Sequence, residues 1–190
     1  TKLITYEESL TMPENRLEEI IDGESYIMPP ATKKHWMLLS RLRRLLEGQL
    51  SETGYRLSSG EVGLGIRRVP AFTCRNPDLA VYSIKALARD EIENKKYNAY
   101  VWTPPELLAE CLSPSNRKGR IEKLREDYES IGVPELWLID PQKQVLSVYR
   151  LEGGSLNLRD AVEHGAVRPA QLPGIEIEVD QLWEAFDLKL

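Results

Sequence analysis

The sequence predicts an α/β fold in which a central mixed sheet is flanked by helices. Three observations point there. Apolar residues recur at spacings of three and four from His35 to Leu46, and again from Ile121 to Ile131, as in helices that bury one face. Between them, "YRLSSGEVGLGIRRVPAFTCRNPDLAVYS" is rich in glycine and in short apolar or β-branched pieces, the pattern of strands and turns. Finally, residues 107–140 run strand, polar turn, helix and strand, which makes a crossover connection the natural topology.

The elements follow in order. "YEESL" reads as a short opening helix, followed by a turn at residues 13–15. Strands around residues 19–21 and 25–28 meet at Asp22-Gly23, a pair favoured in tight hairpins, and Pro29 and Pro30 close the second strand. From Thr32 the pattern is helical: His35, Leu38, Leu39, Leu42, Leu45 and Leu46 fall on one side, Lys34, Arg41, Arg44 and Glu47 on the other, and Gly48 lies near the end. Leu79 and Val81 continue a strand begun at Pro77-Asp78. The charged stretch "SIKALARDEIENKKYNAYVW" is expected to be a loop with some helix. A strand over residues 107–112 leads to Ser113-Pro114-Ser115-Asn116, a turn or helix-start signal, then to a helix whose apolar face carries Ile121, Leu124, Tyr128 and Ile131 and which stops at Gly132. "PELWLID" and "QVLSVYRL" form two strands joined by "DPQK", and the remainder reads as short strands with a terminal helical segment.

A chain of 190 residues suits one domain with a sizeable core, here residues 1–190 with 141–190 as a strand-rich extension of the same unit. The net charge of -5, from 30 acidic and 25 basic residues, gives no broad basic field. That argues against passive coating of nucleic acid more than against an enzyme that meets DNA through one cleft with a local positive patch. Cys74 and Cys111 form no disulfide framework or CxxC pair. No segment approaches the roughly 18 apolar residues of a membrane span, and the first residues are charged where a signal peptide is apolar. A cytoplasmic protein, with no membrane partner, is expected.

Glu110 stands among Leu107, Leu108, Ala109, Cys111 and Leu112, where an acid is costly unless a partner, a metal or solvent meets it. Asp78 likewise begins an apolar strand. If these strands are neighbours with the acids at matching heights, both carboxylates enter one cleft, and a divalent cation becomes the natural third party. Hard oxygen ligands suit Mg²⁺, or Mn²⁺ in its place, better than Zn²⁺. The plainer alternative is that Asp78 caps the turn after Pro77 while Glu110 pairs with a basic residue. Arg75 can meet a phosphate or neutralise the acids. His164 has no companion at a useful spacing, and the four tryptophans are scattered as core or contact residues.

"EEIIDGESYIMPPATKKHWMLLSRLRRLL", "RNPDLAVY", "LLAECLSPSNRKG" and "DYESIGVPELWLIDP", in that order, resemble the restriction-endonuclease domain family abundant in cyanobacteria and other bacteria, within the PD-(D/E)xK nuclease superfamily. The resemblance runs from about Glu18 to Pro141 and more weakly to "LPGIEIEVDQLW". It implies a restriction-endonuclease-like core and divalent-metal-dependent DNA cleavage. By the same resemblance Asp78 and Glu110 are the two metal-binding carboxylates, Glu19 is a further acid directed to the same cleft, and His35 matches a histidine at the start of the long helix. The superfamily's lysine, two residues after the second carboxylate, is Leu112 here; the alternative position in the following helix, four residues before Tyr128, is Leu124. Lys123 is the nearest lysine, although at about 100° per residue it points away from the face of Ile121, Leu124 and Tyr128. Arg117, Lys118 and Arg120 are other sources of positive charge, but arginine stays protonated and is no general base.

The expectation is therefore a DNA endonuclease using Glu19, Asp78, Glu110 and Lys123, with His35, Arg75 and Arg120 as accessory residues, working as a homodimer. The missing lysine leaves a second expectation open, a non-catalytic nuclease-like domain that binds DNA or a protein. Hydrolysis of another phosphodiester is a third.

Overall fold

The computed structural model describes residues 2–12, 18–28, 30–51, 54–113 and 118–186. The turn expected at residues 13–15, Pro29, the turn residues Pro114, Ser115 and Asn116, Arg117 and the side chain of Lys118 lie outside the described residues.

Helix α1 (Tyr6–Ser9) opens on a capping box in which Thr5 and Glu8 satisfy each other's backbone N–H groups. Strands β1 (Glu18–Ile21) and β2 (Glu24–Ile27) form a hairpin whose turn residues, Asp22 and Gly23, both have positive φ, 52° and 79°. That is the backbone a two-residue hairpin turn requires. Helix α2 (Lys33–Glu47) starts at Thr32, whose hydroxyl accepts from the His35 N–H, and its buried stripe is Leu38, Leu42 and Leu46. Strands β3 (Tyr55–Ser58), β4 (Leu64–Arg67), β5 (Thr73–Arg75) and β6 (Leu79–Ser83) follow.

Helix α3 (Ile84–Glu93) occupies part of the charged stretch expected to be a loop with some helix. Ser83 caps it by accepting from Ala86 N–H, and although none of its residues is fully buried, Leu87 packs partly buried against the core. A 3₁₀ turn at Lys95–Tyr97 leads to β7 (Leu107–Cys111). Then come α4 (Lys118–Ser130), β8 (Glu135–Asp140), β9 (Val145–Glu152), β10 (Ser155–Val162), the two-residue strands β11 (Ala166–Val167) and β12 (Ile177–Glu178), and α5 (Val179–Trp183). Gly132, at φ 78°, turns the chain between α4 and β8.

The main sheet has six strands in the order β10-β9-β8-β7-β6-β3. It is mixed: β7 and β8 run parallel across the α4 connection, while the other pairs are antiparallel. Alternation along the strands divides the core in two. Leu79, Val81, Leu107, Ala109 and Trp137 pack with the leucines of α2 and with Leu182 and Trp183 of α5. Ala80, Tyr82, Leu108, Leu136 and Leu138 pack with Tyr128 of α4. Ile121, Leu124 and Ile131, expected on the inner face of α4, lie partly buried against this second cluster.

A second, four-stranded sheet in the order β2-β1-β5-β4 carries the hairpin and is backed by the aromatic contacts of Tyr6 and Phe72 with Tyr100 and Trp102. A Cβ at Gly65 would come within 2.6 Å of the Trp102 ring, so β4 needs glycine for that ring to pack. Strands β9 and β10 extend the main sheet, and α5 returns to α2, where Arg41 Nε donates to the Gln181 carbonyl at 3.2 Å. Among the described residues no helix is long and apolar enough to cross a membrane.

Candidate active site

Asp78 and Glu110 come together because β6 and β7 pair antiparallel with Leu79 opposite Ala109 and Val81 opposite Leu107. One more step in that register sets Asp78 opposite Glu110. Asp78 Oδ2 accepts from the Cys111 N–H at 2.8 Å, and the Asp78 N–H lies 3.5 Å from Glu110 Oε2. The second contact is at the limit of a hydrogen bond, so it orients Glu110 only weakly.

Two helices supply the remaining partners. His35, in the first turn of α2, places Nε2 3.2 Å from Asp78 Oδ1, with side chains 15% and 25% exposed. From the other side of the sheet, the fully buried Tyr128 of α4 donates its hydroxyl to Glu110 Oε1. Glu110 shares that face because it alternates in step with Leu108 along β7.

Burial and then the Asp78 charge push the Glu110 carboxyl well above its ordinary range; Glu19 adds to this, while the Tyr128 hydroxyl and the Asp78 N–H oppose it. Tyr128 is likewise pushed well up, first by burial and then by Glu110. The Cys111 thiol is also pushed up by burial and then by Asp78, and its side chain packs into the core on the α2 side of the sheet.

A different cluster lies beside this pair. In β1 and β5, Ile20 faces Cys74, and one step further sets Glu19 opposite Arg75. Arg75 Nη1 donates to Glu19 Oε2 at 2.9 Å, while its Nε and Nη2 both donate to Asp127 Oδ2, at 2.9 and 2.5 Å. All three side chains are essentially inaccessible, at 0%, 4% and 3%. Glu19 Oε1 also accepts from the Asn76 N–H at 3.2 Å.

Several expectations change in this light. Arg75 is not open to a phosphate; it is the buried counter-ion of Glu19 and Asp127. The Glu19 carboxylate is taken up by Arg75 and Asn76, and His35 meets Asp78. Lys123 is held by Asp22 and Asp127, 3.2 Å from each, and makes no contact with Asp78 or Glu110 among the described residues. Partial burial works against its charge, but Asp127 and Asp22 more than offset that and hold its ammonium above the ordinary lysine value. Arg120, about one-third exposed, comes within 3.8 Å of Glu19 Oε2 and touches Met28 Sδ. His164 is exposed but partnered, 2.7 Å from Asp180.

The sequence marks Tyr128 through the family resemblance but not as a partner of Glu110, and it does not mark Asp127. By spacing Tyr128 falls on the apolar face of α4, and the signal for its role is that a buried phenol needs a partner for its hydroxyl. Asp127 gave no such signal, because its partner Arg75 is 52 residues away.

Among the described residues, no group of three or more His, Cys, Asp or Glu side chains is arranged to hold a metal ion. The donors on offer are the two carboxylates of Asp78 and Glu110. That set fits a hard cation such as Mg²⁺, which is commonly bound through one or two carboxylates and keeps several waters. It does not fit a four-coordinate nitrogen and sulfur site for Zn²⁺.

A mixed sheet flanked by helices, with two acids at the ends of adjacent strands, defines a restriction-endonuclease-like α/β protein. The family model described as "Uma2: Putative restriction endonuclease" matches residues 5–180, and the chain belongs to that family. Its fold is similar to that in the crystal structure of a putative nuclease belonging to DUF820 from Anabaena variabilis, with a TM-score of 0.77 and 22% identity over 96% of this chain and 98% of that one. Among curated proteins nothing matches.

Proposed function

We propose that this protein is an endonuclease that hydrolyses DNA phosphodiester bonds with the help of a divalent cation, Mg²⁺ or Mn²⁺ in its place. The observation that carries the reading is the register of β6 and β7, which puts Asp78 and Glu110 side by side at the strand ends. The description of the family supports the same class of reaction.

Asp78 and Glu110 would hold the cation. When bound, it supplies a water of lowered pKa and offsets the charge that develops on the phosphate. His35 keeps Asp78 oriented through its Oδ1 contact, and the Cys111 N–H fixes the other oxygen. Arg120, on the first turn of α4 and partly open, is the accessory cation for a neighbouring phosphate. Lys123 must leave Asp22 and Asp127 before its ammonium can reach an attacking water. Glu19, paired with Arg75, acts on the pair through its field.

Residues 1–190 are proposed to work as one nuclease-like unit in the cytoplasm, as a homodimer that sets two cleavage sites across a duplex. The second reading is a non-catalytic domain that binds DNA or a protein partner. It is favoured by Leu112 and Leu124 at the two lysine positions and by the engagement of Lys123 elsewhere.

The deciding experiment incubates the protein with supercoiled, linear, single-stranded and branched DNA across Mg²⁺, Mn²⁺ and chelator. Cleavage is expected with metal, none with chelator, and little in Asp78→Asn or Glu110→Gln. Wild-type protein that cleaves no member of the panel faster than Glu110→Gln supports the second reading.

A further inference from the structure

Glu110 is the less well held of the two acids. Asp78 has a 2.8 Å hydrogen bond from the Cys111 N–H and a 3.2 Å contact with His35, whereas the backbone offers Glu110 only the 3.5 Å approach of the Asp78 N–H. The group that does hold Glu110 is the Tyr128 hydroxyl, on Oε1. Tyr128 lies one helical turn beyond Leu124, so a phenol on the inner face of α4 meets the carboxylate, and no lysine does so among the described residues.

The phenol is also firmly placed. Its ring is fully buried among Leu108, Leu136 and Leu138. The preceding residue, Asp127, ties α4 to β5 through the buried Arg75 guanidinium, whose two hydrogen bonds to Asp127 Oδ2 restrict rotation or sliding of the helix. A rigid donor on a braced helix is what a metal-binding carboxylate needs to present its remaining lone pairs in one direction.

We propose that Tyr128 is a positioning residue for the Glu110 carboxylate, so that α2, through His35, and α4, through Tyr128, hold the two acids from opposite faces of the sheet. The inference rests on the reading of Asp78 and Glu110 as metal ligands. Tyr128 touches neither the cation nor the substrate; it acts through Glu110.

The test measures Mn²⁺ binding by calorimetry, in the absence of DNA, for the wild type, Tyr128→Phe, Tyr128→Gln and Glu110→Gln, with folding checked by circular dichroism and the unfolding midpoint. Phe keeps the packed ring and removes the donor, so a loss of affinity of about 10- to 100-fold is expected, the range seen when the orienting partner of a ligand is removed. Gln returns a donor without the ring and is expected to recover part of the affinity. Wild-type affinity in folded Tyr128→Phe overturns the proposal, and a loss in Tyr128→Gln alone then assigns the residue to packing. Should Phe not fold, affinity in Tyr128→Gln as poor as in Glu110→Gln also overturns it. Wild-type protein binding Mn²⁺ no more tightly than Glu110→Gln overturns the metal-site reading itself, a different pattern that takes this proposal with it.

Discussion

Two acidic clusters stand side by side in this molecule, and they are balanced in opposite ways. Glu19 and Asp127 share the buried Arg75 guanidinium, and Asp127 also takes an ammonium from Lys123. Asp78 and Glu110 have each other, a histidine, a phenol and backbone N–H groups, but no lysine or arginine within ion-pair distance among the described residues. Arg75, three residues before Asp78, ends its strand pointing into the first cluster and leaves the second without a fixed cation. The difference separates acids that hold the fold from acids that await a partner. A buried charge with its counter-ion is a structural contact; two like charges at the mouth of a sheet favour a bound cation.

The sharpest way to break this contrast is to remove the guanidinium. Arg75→Met strands Glu19 and Asp127 without a counter-ion, and a loss of about 3–5 kcal/mol in unfolding free energy is expected from urea titration, as for breaking a buried pair. A loss below 1 kcal/mol would mean that the two clusters do not differ in kind.

The next test uses pH. The Glu110 carboxyl is raised in the folded state, by burial and then by Asp78, above the 4.5 of an ordinary glutamate. The folded protein therefore holds this proton after the unfolded chain has lost it, and stability falls as pH rises from about 4.5 through the raised value, then levels. Metal-free unfolding followed from pH 4.5 upward should show this decline in wild-type protein and a flatter profile in Glu110→Gln. Identical profiles would show that Glu110 is not strained by its neighbour. Saturating Mn²⁺ should oppose the decline, because a ligand that binds only the folded state stabilises it.

A smaller effect is expected at Lys123, whose side chain is 35% exposed. Lys123→Met should lower stability by about 1 kcal/mol or less, as partly exposed pairs do, and leave Mn²⁺ affinity unchanged. Single-turnover cleavage by the same variant decides the chemistry: slower turnover brings Lys123 to the attacking water, and wild-type turnover removes it from the site. Smallest of all, His164→Gln breaks an exposed contact with Asp180 and should leave the unfolding midpoint unaltered.

Much of the local structure was legible beforehand. Leu38, Leu42 and Leu46 mark the buried stripe of α2 by spacing alone, Asp22-Gly23 specifies a hairpin turn, and Gly132 marks the end of α4. Helix α3 is harder to read because charged residues interrupt its apolar positions, of which Leu87 lies only partly buried against the core. For the site, Glu110 stood out as an acid in an apolar strand. Asp78 was legible with it as a second strand acid, but the rest of the surroundings was not: Tyr128 reads as an apolar position, and Lys123 is drawn to Asp127 on its own helix and to Asp22 on a hairpin about 100 residues earlier in the chain.

By itself, then, the sequence determined what depends on neighbours within a turn or a pleat: helical stripes, tight turns, the alternation of strands and the odd acid in β7. Tertiary structure decided which acids meet and which are neutralised. The physical reason is that antiparallel register, not proximity in the chain, sets Asp78 against Glu110 and Glu19 against Arg75, and a one-residue slip in either pair would turn those side chains to opposite faces.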